Sequence, residues 1–123
     1  MVGVNHRTAP FALRERLYLE PPDLPRLLAE IAAAGLPEAC VIATCDRLDV
    51  VAVHEDAAAA TESLIGLLAA RAELAPSGFR ERSYQQQGRD ALRHLFAVAA
   101  SLDSQVIGEP QVLGQVKESH RLA

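Results

Sequence analysis

The sequence predicts an α+β domain built on a four-stranded antiparallel sheet, with helices on one face and a helical extension near its C-terminal end. Three observations predict it. Short apolar runs of strand length alternate with longer runs at helical spacing. The two central apolar runs, Ala39 to Thr44 and Leu48 to Val53, are separated only by Cys45, Asp46 and Arg47. A gap that short suits an antiparallel hairpin, because parallel neighbours need a long crossover. Finally, half of the 123 residues are hydrophobic but few are aromatic, so one domain can fill a core with Leu, Val, Ile and Ala.

In chain order, Met1 to Asn5 alternates as a strand does. Pro10 opens a helical stretch, Phe11 to Leu19, which Pro21 and Pro22 end by removing donors and restricting the residues before them. Asp23 is placed to cap a helix that tolerates Pro25 in its first turn; Leu24, Leu27, Leu28 and Ile31 form its apolar face. Gly35 and then Pro37 give the usual stop. The hairpin follows, with Cys45 at its exposed tip and Cys40 pointing to the opposite face, into the core. A helix is expected from about Ala58 to Ala72, with Leu64, Ile65, Leu67 and Leu68 buried. Pro76, Ser77 and Gly78 read as a loop, and Arg82 to Gln86 as a weak fourth strand. Asp90 to Ala100 reads as a helix with Leu92, Leu95, Phe96 and Ala99 on one face. Pro110 suits the first turn of a last helix, to about Leu122. Strand, helix, strand, strand, helix, strand is the split β-α-β order of ferredoxin-like domains.

Composition narrows the function. The formal charge is −4, which is no footprint for non-specific nucleic-acid binding. No segment reaches the roughly 20 apolar residues of a membrane helix, and no signal peptide is evident, so a cytoplasmic protein is expected, with no membrane partner. Two cysteines do not make a disulfide framework. Four scattered histidines without paired spacing give no metal site.

Three stretches carry a resemblance. They are Gly3-Val4-Asn5-His6-Arg7-Thr8-Ala9-Pro10, with Arg14-Glu15-Arg16 after it; Ala43-Thr44-Cys45-Asp46-Arg47; and the long run Ser101 to Lys117, which contains Gly108-Glu109-Pro110-Gln111. In order and spacing they resemble the N-terminal, substrate-binding domain of glutamyl-tRNA reductase, over nearly the whole chain. The resemblance implies an enzyme that reduces glutamyl-tRNA with NADPH to glutamate-1-semialdehyde, the entry to tetrapyrrole and hence porphyrin synthesis. It implies that Cys45 attacks the glutamyl ester, forms a thioester and releases tRNA. It also implies homodimerisation through a separate domain, and glutamate-1-semialdehyde aminomutase as a partner enzyme. No G-x-G-x-x-G follows a strand in residues 1–123. The cofactor site is therefore expected outside a single domain spanning 1–123, which alone is not expected to complete the reduction.

The residue chemistry agrees with those roles. A thiolate attacks esters far better than a thiol, and nearby cations favour it. Arg47, two residues from Cys45, could supply that charge or clamp the substrate carboxylate bidentately. The resemblance makes His94 a catalytic proton carrier. It makes Thr44, Asp46, Arg47, Ser104, Glu109, Pro110, Gln111 and Gln115 substrate-binding. Gln111 and Gln115 are four apart and share a helix face. His6 is read equally as structural or as lining the site. The sequence departs from the family where Asp46 replaces the usual Asn and Leu48-Asp49 replace Thr-Glu; a carboxylate beside the thiol opposes both the thiolate and an anionic substrate. The alternative is a non-catalytic ferredoxin-like binding module. An RNA-binding version would carry aromatic stacking residues on its sheet, a pattern that Phe11, Phe79, Phe96, Tyr18 and Tyr84 do not form.

Overall fold

A computed structural model describes residues 1–100 of the chain. The strands are β1 (Val2–Asn5), β2 (Ala39–Ala43), β3 (Arg47–Ala52) and β4 (Tyr84–Gln85). The helices are α1 (Phe11–Leu17), α2 (Leu24–Ala33), α3 (Ala57–Arg71), α4 (Pro76–Glu81) and α5 (Gly88–Ala99), with a 3-10 turn at Pro21–Asp23. The sheet order is β2-β3-β1-β4 and every pairing is antiparallel. This is the expected split β-α-β arrangement, in which β3 lies between β1 and β2.

Alternation along the strands gives the sheet two distinct faces. On one, Val2, Val4, Val41, Leu48 and Val50 meet Leu13 and Leu17 of α1, Leu27 and Ile31 of α2, Leu64, Ile65 and Leu68 of α3, and Phe79 of α4. All are essentially removed from water, so this aliphatic layer supplies most of the hydrophobic stabilisation. The other face carries Gly3, Arg47, Asp49, Cys40 and Ile42. There α5 lies against it, and Ile42 and Val98 form a small second cluster with Cys40 and Leu95 at its margin.

Several local expectations are corrected. Pro76 to Gly78 is no loop: Pro76 sits in the first turn of α4, where its missing N–H costs nothing. Helix α1 stops at Leu17, and Asp23 makes no side-chain cap, because the 3-10 turn already leads the backbone into α2. The capping carboxylate is instead Asp56, whose Oδ1 accepts from the Ala59 amide at 3.1 Å and starts α3. Strand β4 is only two residues long, at the sheet edge. On α5, half of the expected apolar face holds: Leu95 and Ala99 are half-buried, while Leu92 and Phe96 are exposed and Val98 is the buried residue. Cys40 is half-buried under α5, on the face away from the main core. The expected last helix lies outside the described residues. Among those residues, no helix is long and apolar enough to cross a membrane.

Candidate active site

The geometry begins with the Asn5 to Pro10 turn. Asn5 is buried, and its Oδ1 accepts from the amides of Arg7 (2.9 Å) and Thr8 (3.2 Å). The Asn5 carbonyl accepts from the Ala9 amide at 3.0 Å. An asparagine suits such a turn, since its side chain stands in for a backbone acceptor. The turn drops the chain straight from β1 into α1 and aims Arg14 at the hairpin.

Register then places the hairpin. Asn5 pairs with Arg47, and Ala43 pairs with Leu48. The intervening turn closes through the Thr44 amide, which donates to the Arg47 carbonyl at 2.9 Å. The Thr44 hydroxyl accepts from the Asp46 amide at 3.2 Å. Thr44 thus has a structural task in shaping the turn. Cys45 stands exposed at its tip, as expected.

Two ion pairs are made by residues adjacent to the turn, one through Asp46 and one through Arg47. Arg14 Nη1 meets Asp46 Oδ1 at 3.3 Å, and its Nε donates to the Ala9 carbonyl at 3.3 Å. The carboxylate at position 46 therefore arrives with its own counter-charge. Arg47 meets Asp49 at 3.1 Å, with only 2% and 0% of the two side chains exposed. Arg47 is therefore not an exposed clamp: its guanidinium lies against Asp49, on the sheet face where α5 packs. The Leu48-Asp49 departure is absorbed likewise. Leu48 packs into the main core, and Asp49 supplies a carboxylate on the opposite face.

Asp49 gathers a buried polar group around itself. Burial pushes its carboxyl above the ordinary range, while Arg47, the Tyr84 hydroxyl and His94 pull it back. Tyr84 donates to Asp49 Oδ1. His94, reaching down from α5, brings Nε2 to 3.9 Å from the same oxygen, and its ring lies 4.6 Å from that of Tyr84, centroid to centroid. Asp49 is four residues from Cys45, a strand path on the order of 13 Å. His94 thus occupies the same sheet face as Arg47, further along β3 than the thiol. A substrate lying on that face would have to span the interval.

His6 is half-buried, and its Nδ1 is buried without a hydrogen-bond partner. Burial first, then Arg7, makes it harder to protonate than a free histidine. Asp46 acts the other way, and Arg47 and Arg14 add to the effect of Arg7. Its buried, unpartnered Nδ1 and its coupling to Asp46, Arg47 and Arg14 are compatible with either of its two readings, structural or site-lining. The signal was present in sequence as its place in the Asn5 motif. Sequence reasoning missed the supporting parts: strand register across Gly3 brings Asp49 and Tyr84 together, and the turn from β1 into α1 brings Arg14 to Asp46. Ser104, Glu109, Pro110, Gln111 and Gln115 lie outside the described residues.

The family profile described as "Glutamyl-tRNAGlu reductase, N-terminal domain" matches residues 2–123. A glutamyl-tRNA reductase of Rhodospirillum rubrum is 41% identical over 123 residues, covering 100% of this chain and 28% of the relative. One of Solibacter usitatus is 40% identical over 124 residues, covering 100% of this chain and 30% of the relative. The solved glutamyl-tRNA reductase of Methanopyrus kandleri superposes with a TM-score of 0.74 at 26% identity, over 99% of this chain and 27% of that one. The chain therefore spans under a third of the length of the relatives it matches.

Proposed function

From a chain that belongs to the glutamyl-tRNA reductase N-terminal domain family, we propose that the protein takes the glutamyl group of glutamyl-tRNA onto Cys45. Sγ attacks the ester carbonyl carbon, a carbon–sulfur bond forms, and the bond to the tRNA's terminal ribose oxygen breaks. That oxygen leaves as a hydroxyl, and the thiol proton balances it. The product is a thioester, with tRNA released. The single observation that supports this reading is an exposed sulfur at the tip of the β2–β3 turn, with the Arg14–Asp46 pair made by its chain neighbour.

The acyl donor is already activated, so the site needs a positioned nucleophile and modest proton transfer rather than a strong base. His94 is the proton carrier in this reading. Thr44 shapes the turn, and Asp46, screened by Arg14, borders the incoming glutamyl group. Arg47, paired with Asp49 on the sheet face, anchors the β3 end of the turn that carries the sulfur. The family's further substrate contacts would come from Ser104, Glu109, Pro110, Gln111 and Gln115. The family's NADPH, when bound, would supply the hydride chemistry that reduces such a thioester to glutamate-1-semialdehyde; the role of residues 1–123 in this reading is to form and hold the thioester. The partners in this reading are glutamyl-tRNA, a second copy joined through another domain, and the aminomutase that consumes the aldehyde.

Replacing the nucleophile separates this reading from a binding module. Cys45→Ser should abolish transfer of radiolabelled glutamate from tRNA to protein, whereas Cys40→Ser should leave it within about twofold of wild type, as a half-buried thiol in a packed cluster has no part in it. Transfer that survives in Cys45→Ser would overturn the proposal.

A further inference from the structure

Gly3 lies in one row with Asp49 and Tyr84, paired to Asp49 across one side of β1 and to Tyr84 across the other. A methyl group at Gly3 would collide with the Asp49 carboxylate and stand 2.7 Å from the Tyr84 hydroxyl. The glycine therefore leaves a corridor through which the phenol crosses β1 and donates to Asp49 Oδ1. His94 Nε2 faces that same oxygen at 3.9 Å, beyond hydrogen-bond reach. The Tyr84 ring lies against the imidazole with its plane tilted by 48°. The other carboxylate oxygen, Oδ2, is held by Arg47.

We propose that Tyr84 is a positioning residue for His94. Its hydroxyl occupies Asp49 Oδ1, and its ring sets the plane of the imidazole. A carboxylate oxygen without the phenol would draw the Nε2–H of His94 and fix the proton on that nitrogen, since the partner of one ring nitrogen decides the tautomer. With the phenol in place, Asp49 steadies the ring electrostatically without itself fixing the proton on Nε2. Gly3 is the condition for this arrangement, and it gives the glycine of the opening motif a chemical role. The inference rests on the reading of His94 as the proton carrier and deepens it.

The test reads His94 directly. Tyr84→Phe keeps the ring and removes the donor. Nitrogen-15 NMR of the histidine side chains, with His94 assigned through His94→Gln, should show Nε2 moving toward the protonated-nitrogen position in Tyr84→Phe. The single-turnover rate of glutamyl transfer to Cys45 at saturating glutamyl-tRNA should fall about tenfold, with the half-saturating concentration unchanged. If that variant does not fold, 3-fluorotyrosine at position 84, a stronger donor of the same shape, should move the same signal the opposite way. Unmoved His94 nitrogen signals overturn the proposal, whether or not the rate falls. If the wild-type protein transfers no glutamyl group, the catalytic reading of His94 fails, while the nitrogen signals still decide whether Tyr84 governs its imidazole.

Discussion

At the scale of single residues, Arg14 pairs with the carboxylate that follows the thiol in the chain. An acidic residue next to a nucleophilic sulfur looked unfavourable in the sequence, because its partner lies 32 positions away on another element. The pair is partly exposed, and such pairs are worth about 0.2–1 kcal/mol. Arg14→Ala should therefore slow alkylation of Cys45 by iodoacetamide about two- to fivefold. Adding Asp46→Asn should restore the rate, since both charges are then gone; an unchanged rate in Arg14→Ala would show that the pair does not act on the sulfur. The buried Arg47–Asp49 pair is a different case. Removing either partner strands a charge in the sheet, at a cost of about 3–5 kcal/mol, so neither is a clean probe of activity. His6 gives a pH signature. Its imidazole is harder to protonate in the folded protein, chiefly through burial and secondarily through Arg7. The unfolded chain therefore binds that proton more tightly, and the stability His6 contributes is lost as pH falls through about 6.5 toward its lowered value. Urea titrations between about pH 7 and pH 5 should show a shallower loss of stability in His6→Asn than in wild type. Parallel losses would mean that His6 is not desolvated.

Among the elements, two helix ends show how local chemistry was legible and where it was not. Helix α2 closes with the Leu36 amide on the Ile31 carbonyl (3.2 Å) and the Gly35 amide on Ala32 (3.0 Å), with Gly35 at φ 94°. That Schellman arrangement is what a glycine after a helical run predicts. Helix α3 closes in the same way, through Leu74 on Ala69 and Glu73 on Ala70, but with Glu73 at φ 57°. Nothing in its side chain marked it for a left-handed position. Gly35→Ala should cost about 1 kcal/mol and Glu73→Gly should gain up to about 1 kcal/mol in urea unfolding, because a Cβ at positive φ is strained. A loss of stability in Glu73→Gly would contradict this. Helix α5 was the hardest element to read. Its residues Leu92 and Phe96 fit an apolar stripe by spacing, yet they are exposed, and the helix turns Val98 and His94 to the sheet. The surface beneath it is mixed, with Asp49 facing His94 and Ile42 facing Val98, so a purely apolar stripe is not what the sheet offers this helix.

Across the whole molecule, strand order, antiparallel pairing and the hairpin position of Cys45 followed from run lengths and one three-residue gap. The second face of the sheet did not. Alternation showed that Arg47 and Asp49 share a face, but not that a helix covers it, so an arginine beside a turn read as a solvent-facing clamp. The two faces differ in kind: an aliphatic layer lies under α1 to α4, a polar group of Arg47, Asp49, Tyr84 and His94 lies on the α5 side, and the turn between β2 and β3 exposes the sulfur. The measurement that tests this account most directly is mass spectrometry of the protein acid-quenched after incubation with glutamyl-tRNA. The account predicts one glutamyl group, on the peptide bearing Cys45 and labile to hydroxylamine as a thioester is. A fully unmodified Cys45, or a glutamyl group carried on Cys40 instead, would contradict it.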